Sequence, residues 1–135
     1  MIPKLGAFEG TWRLSREIWP AGAPQAQFVG EARFAPGQGG LVYSEEGLLT
    51  LDGQQPVRAE RTYLWRQNDE QSVAVFFADG RAFHTFGTEQ LADRHWCDPD
   101  TYDVRYDFSD WPRWSTSWRV SGPRKDYRMI SRYSA

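Results

Sequence analysis

Apolar residues along this chain recur mostly at every second position, and clusters of turn-forming residues cut the alternation at short intervals. Trp12, Leu14, Arg16 and Ile18 alternate with polar neighbours up to Pro20-Ala21-Gly22-Ala23-Pro24. Phe28, Gly30, Ala32 and Phe34 form a second set, ended by Pro36-Gly37-Gln38-Gly39-Gly40. Leu41 to Leu51 then runs to Asp52-Gly53, and Val57 to Trp65 to Asn68-Asp69. The second half repeats the design, with Ser72 to Ala78, Arg81 to Phe86, Arg94 to Asp98, Tyr102 to Phe108, Trp114 to Val120 and Lys125 to Tyr133. Glycines at the breaks accept positive φ, and Asn or Asp can cap its own backbone. The pattern predicts an all-β protein of about ten short strands. No segment has the period of a long amphipathic helix, and no connection could hold a crossover helix. The expectation is therefore a single up-and-down antiparallel β-barrel over residues 1–135, since closure removes the exposed edges of a meander.

Composition narrows the function classes. At 135 residues, with 16% aromatic side chains, the chain can fill one core without metal or disulfide staples. Its net charge of -2 provides no broad electrostatic footprint for nucleic acid or an anionic membrane. Cys97 is the only cysteine, so no intramolecular disulfide forms. The N-terminus lacks the basic, apolar and small-residue order of a signal peptide, and no apolar run approaches about 18 residues. A cytoplasmic location is expected.

Candidate chemistry follows from hairpin parity. Asp79-Gly80 suits a two-residue type I′ turn, placing Phe77 opposite Ala82 and Val75 opposite His84. A four-residue link, Thr88 to Leu91, then sets His84 opposite His95 and Cys97 opposite Ala82, with β-carbons about 4.5–5.5 Å apart. A one-residue change in that loop reverses the parity. Facing inward, these groups are a metal site, an acid/base pair, ligand-contacting groups in a pocket, or hydrogen-bonded core residues. No His-x-x-x-His or Cys-x-x-Cys spacing supports a metal, so neither metal nor cofactor is expected.

Around Asp52-Gly53, Glu45-Glu46 comes alongside Glu60-Arg61, and Arg61 shares parity with Tyr63 and Trp65. An inward Arg beside a Tyr can hold a carboxylate or phosphate; a cross-strand ion pair is the structural alternative. Asp98, Asp100, Asp103, Asp107 and Asp110 lack the Gly and terminal Glu of a calcium loop and read as turn caps or solvated carboxylates. Trp65, Trp96, Trp111, Trp114, Trp118, Tyr102, Tyr106 and Tyr127 can stack on flat ligands, though a barrel needs most such bulk for packing.

Phe8-Glu9-Gly10-Thr11-Trp12 resembles the Gly-x-Trp opening of lipocalins and related calycin barrels. The resemblance implies that Trp12 closes one barrel end and that Arg132, or else Arg128, packs across it. Three further stretches resemble a family of short, uncharacterised bacterial lipocalin-like proteins, the DUF6314 family: Phe83-His84-Thr85-Phe86, His95 to Tyr102, and Trp118 to Tyr127. That resemblance spans nearly the whole chain and implies a fold, with no established activity. Taken together, these readings predict a noncatalytic barrel that binds a small molecule of aromatic or carboxylate-bearing character. Candidate ligand contacts are Arg61, Tyr63, His84, His95, Cys97, Tyr102, Trp118 and Tyr127. The rival expectations are an enzyme using His84 and His95 as general acid and base, and a structural barrel with a filled interior. A homodimer is compatible with either.

Overall fold

A short 3-10 turn, Leu5–Phe8, leads into ten antiparallel strands in the computed structural model, which describes residues 1–135. They are β1 (Gly10–Pro20), β2 (Ala26–Gly37), β3 (Gly40–Leu51), β4 (Val57–Asp69), β5 (Ser72–Phe77), β6 (Ala82–Gly87), β7 (Ala92–Cys97), β8 (Asp100–Asp107), β9 (Trp114–Ser121) and β10 (Asp126–Ser134). Consecutive strands pair, and β10 returns to β1, giving the order β6-β5-β4-β3-β2-β1-β10-β9-β8-β7. The all-β, up-and-down architecture expected from the alternation is thus the observed one. No helix is long and apolar enough to cross a membrane.

Closure is incomplete at one seam. β6 and β7 share no ladder; a bridge between Gly87 and Gln90 turns the chain, and the Thr85 backbone N–H donates to Asp93 Oδ2 at 2.8 Å. A carboxylate there takes the place of a neighbouring strand's carbonyl.

The two ends of the barrel differ. Phe8 is fully buried at the closed end, with the rings of Trp65, Trp111 and Trp114 at 5.2, 5.1 and 5.2 Å. Trp12 fixes the same end by donating its indole N–H to the Phe8 carbonyl at 2.8 Å. The arginine expected across Trp12 is absent. Arg132 faces out from β10 and pairs with Glu17, and Arg128 is likewise exposed. Trp111 and Trp114 lie against Trp12 instead, with ring centroids at 5.6 and 6.0 Å.

One local register departs from the sequence expectation. Val75 pairs with His84 as the type I′ hairpin requires, but Phe76, not Phe77, pairs with Ala82. Phe83 is the extra residue of a β-bulge, which turns two successive side chains, Phe83 and His84, into the buried interior and leaves Ala82 exposed.

Candidate functional site

Inward positions on β1, β3, β4 and β10 build a charged layer above the aromatic floor. Arg16 and Glu45 would be separated by β2, because Arg16 pairs with Phe28 and Glu45 with Ala32. Gly30 lies between those two positions and has no side chain to bar the way. It is also irreplaceable there: a β-carbon on Gly30 would come within 2.0 Å of the Glu46 carbonyl oxygen. The guanidinium therefore reaches across and donates twice to Glu45, from Nη1 to Oε2 at 2.7 Å and from Nη2 to Oε1 at 2.9 Å. Its Nε donates to Ser131 Oγ at 2.6 Å. The Tyr43 hydroxyl donates to Glu45 Oε1 at 2.5 Å and lies 2.9 Å from that of Tyr133.

This arrangement sets the charges. Burial pushes the Glu45 carboxyl up, but the hydrogen bonds and charge of Arg16, the Tyr43 hydroxyl and the charge of Arg61 together hold it below the ordinary carboxylate value. Burial would lower Arg16, yet Glu45 holds it well above the usual arginine value. Tyr133 is raised to about 12, first by burial. Arg61, directly opposite Glu45 on β4, is only partly engaged: Nε lies 3.7 Å from Glu45 Oε2, and Nη1 donates to the Tyr63 hydroxyl at 3.4 Å. Its side chain is 49% exposed.

Below this layer lies a cavity of about 60 Å³ lined by Arg61, Tyr63, His84, Tyr102, Trp118 and Tyr127, together with Arg16, Tyr43, Glu45, Trp114, Met129 and Tyr133. A vestibule of about 190 Å³ adjoins it, shares Arg16, Glu45, Arg61, Tyr127 and Met129, and adds the apolar Ile18, Pro20, Phe28, Leu49 and Ala59 with Glu60. Six of the eight residues expected from sequence as ligand contacts thus line one cavity.

The remaining two do not. His95 packs edge-on against Phe83 and Phe77, at 5.3 and 5.7 Å, outside the lining. Cys97 is exposed at the end of β7, paired with Asp100. The expected His84/His95/Cys97 cluster fails because β6 and β7 form no ladder to impose a register. His84 is buried, and burial lowers its pKa to about 3, so the imidazole is neutral. Its Nε2 lies 2.7 Å from the Tyr106 hydroxyl, while Nδ1 has no partner. At the rim, Lys125 donates to the Tyr102 hydroxyl at 2.8 Å and lies 3.2 Å from Asp100 Oδ2. These contacts raise Lys125 above the ordinary lysine value. The aspartates act as turn caps and ion-pair partners: Asp107 accepts from the Ser109 backbone N–H at 2.9 Å, and Asp103 pairs with Arg94.

Arg16, Tyr43, Tyr133 and Met129 were not singled out from sequence, although each shares the inward parity of its strand. Parity marked Arg16 beside Trp12 and Leu14, but not the Glu45 it would meet two strands away.

The family model "Family of unknown function (DUF6314)" matches residues 8–135, and the chain belongs to that family. No curated protein matches it. Among solved structures, the fold is similar to the S-type phycobiliprotein lyase CPES from Guillardia theta, at a TM-score of 0.63 and 9% sequence identity, over 96% of this chain and 87% of that one. A likeness at that identity is one of fold alone.

Proposed function

We propose that this DUF6314 member is a binding barrel for a small molecule with a flat, apolar body and an anionic group, admitted through the end that carries Arg61. The observation that carries the reading is the charge count of the cavity wall. Arg16 and Arg61 face the single carboxylate of Glu45, and each guanidinium nitrogen of Arg16 already donates to Glu45 or Ser131. Arg61 is left as a half-engaged cation at the junction of cavity and vestibule. A planar guanidinium in that position suits a carboxylate, sulfonate or phosphate oxygen. The aromatic and aliphatic walls suit an apolar remainder.

Size supports a slender ligand. An apolar cavity of roughly 150 Å³ is enough for benzene, so the inner space of about 60 Å³ and the adjoining vestibule of about 190 Å³ together take one flat ring with slender substituents. The resemblance in fold to a phycobiliprotein lyase is compatible with a barrel that handles a small molecule. His84, buried, neutral and bonded to Tyr106, favours binding over acid/base work.

The test is titration with anilinonaphthalene sulfonate, a flat anionic fluorophore, followed by its emission and by quenching of cavity tryptophans. Saturable binding that weakens about tenfold in Arg61→Ala is expected, the loss of one charge-assisted hydrogen bond. Binding unaffected by that change, or absent from the native protein, overturns the reading.

A further inference from the structure

Two buried side-chain nitrogens in the molecule lack a hydrogen-bond partner, His84 Nδ1 and Trp114 Nε1. Both residues line the same cavity. The coincidence is informative, because buried polar groups are almost always paired and leaving a donor unpaired is costly. Every other fully buried side-chain nitrogen and oxygen has a partner, those of the Arg16–Glu45–Tyr43 array included.

Indole Nε1 can only donate, so whatever completes Trp114 must bring an acceptor. The register places this acceptor far from Arg61. Arg61 and Trp65 face inward four residues apart on β4, a rise of roughly 13 Å, and Trp65 meets Trp114 with ring centroids 6.1 Å apart. One anionic group cannot serve both places in a channel this narrow.

Resting on the binding reading above, we propose the ligand's class: an elongated planar molecule with two separated oxygen functions. The anionic one lies at Arg61, and a neutral acceptor, such as a carbonyl, is buried at the far end against Trp114 Nε1–H, with His84 Nδ1 beside it in the same cavity. Trp114 is then a specificity-determining contact. Its donor rejects ligands whose inner end is purely apolar, because such a ligand covers the indole N–H and leaves it unpaired.

The experiment compares para-acetylcinnamate with para-isopropylcinnamate, which differ by a carbonyl oxygen replaced with a methyl group. The native protein is expected to bind the acetyl compound at least tenfold more tightly, and the assigned Trp114 indole proton resonance is expected to shift on saturation with it alone. In Trp114→Phe the preference should vanish while the isopropyl compound still binds. The resonance measurement uses the unaltered protein, so it decides the matter even where that variant folds poorly. Equal affinity for the two compounds, or a stationary Trp114 resonance, overturns this proposal and leaves water as the partner of the two nitrogens. Failure of both compounds to bind overturns the binding reading as well.

Discussion

The closed end of the barrel and the end bearing Arg61 are built from the same strands, yet they solve opposite problems. At the closed end Phe8, Trp12, Trp65 and Trp114 meet in edge and tilted contacts, and the indole of Trp12 finds its acceptor in the Phe8 carbonyl. At the other end the inward residues of the same strands are Arg16, Glu45 and Arg61, which burial alone would expel. Alternation marks both sets as inward; only the identity of the residues separates stability from function.

The comparison breaks most sharply at Phe8. Phe8→Ala removes a fully buried ring contacted by several tryptophans, and a loss of about 3–5 kcal/mol is expected in urea unfolding. If the two ends are independent, the folded fraction keeps its affinity for anilinonaphthalene sulfonate. A matching loss of affinity would show instead that the floor shapes the mouth.

The charged layer should respond differently. Glu45→Ala strands the buried guanidinium of Arg16, and about 3–5 kcal/mol of destabilisation is expected. The double variant Arg16→Met with Glu45→Leu replaces the pair by apolar groups, which is often neutral for stability or better. It is expected to unfold near the native midpoint while losing affinity for the anionic probe. That result would mark the pair as kept for the ligand. A double variant as unstable as Glu45→Ala would make the layer a structural element like the floor.

How much of this was legible in the sequence follows the same division. Strand positions and the Glu45–Arg61 neighbourhood were readable because they depend on period-two alternation and short hairpin turns. The Phe83 bulge was not, since an extra residue leaves the composition of β6 unchanged while moving Ala82 out and Phe83 in. Nor was the Arg16–Glu45 bond, which depends on a gap at Gly30 in a strand between them. Cys97 and His95 were misplaced for a third reason: their register was inferred across the one junction, β6 to β7, where no ladder exists.

Between the two ends sits His84, and pH addresses it selectively. Its folded pKa is lowered from 6.5 to about 3, so its contribution is complete above pH 6.5 and is lost as the pH falls toward about 3. Glu45, whose folded pKa is also lowered, adds a loss in the same direction that begins only below its ordinary value of 4.5. Between pH 6.5 and 4.5 stability should therefore fall by up to about 1.4 kcal/mol per pH unit, the limit for the one proton of His84. Urea midpoints at about pH 7 and about pH 5 check this, and His84→Gln should flatten the change across that interval. A native profile already flat there would mean that His84 protonates without cost and is open to solvent.

The smallest effect on stability is expected at Arg61, where the contrast between the ends is sharpest. Its side chain is 49% exposed, its approach to Glu45 is a long 3.7 Å, and Arg16 already neutralises that carboxylate through two shorter bonds. A half-exposed pair of this kind is worth about 0–1 kcal/mol. Removing Arg61 should therefore leave the urea midpoint of Arg61→Ala almost where it was, even as probe affinity falls about tenfold. Phe8 gives the reverse signature, a large loss of stability with affinity retained. A large stability loss in Arg61→Ala would mean that its guanidinium helps hold Glu45 inward. The charge attributed to ligand capture would then belong to the fold.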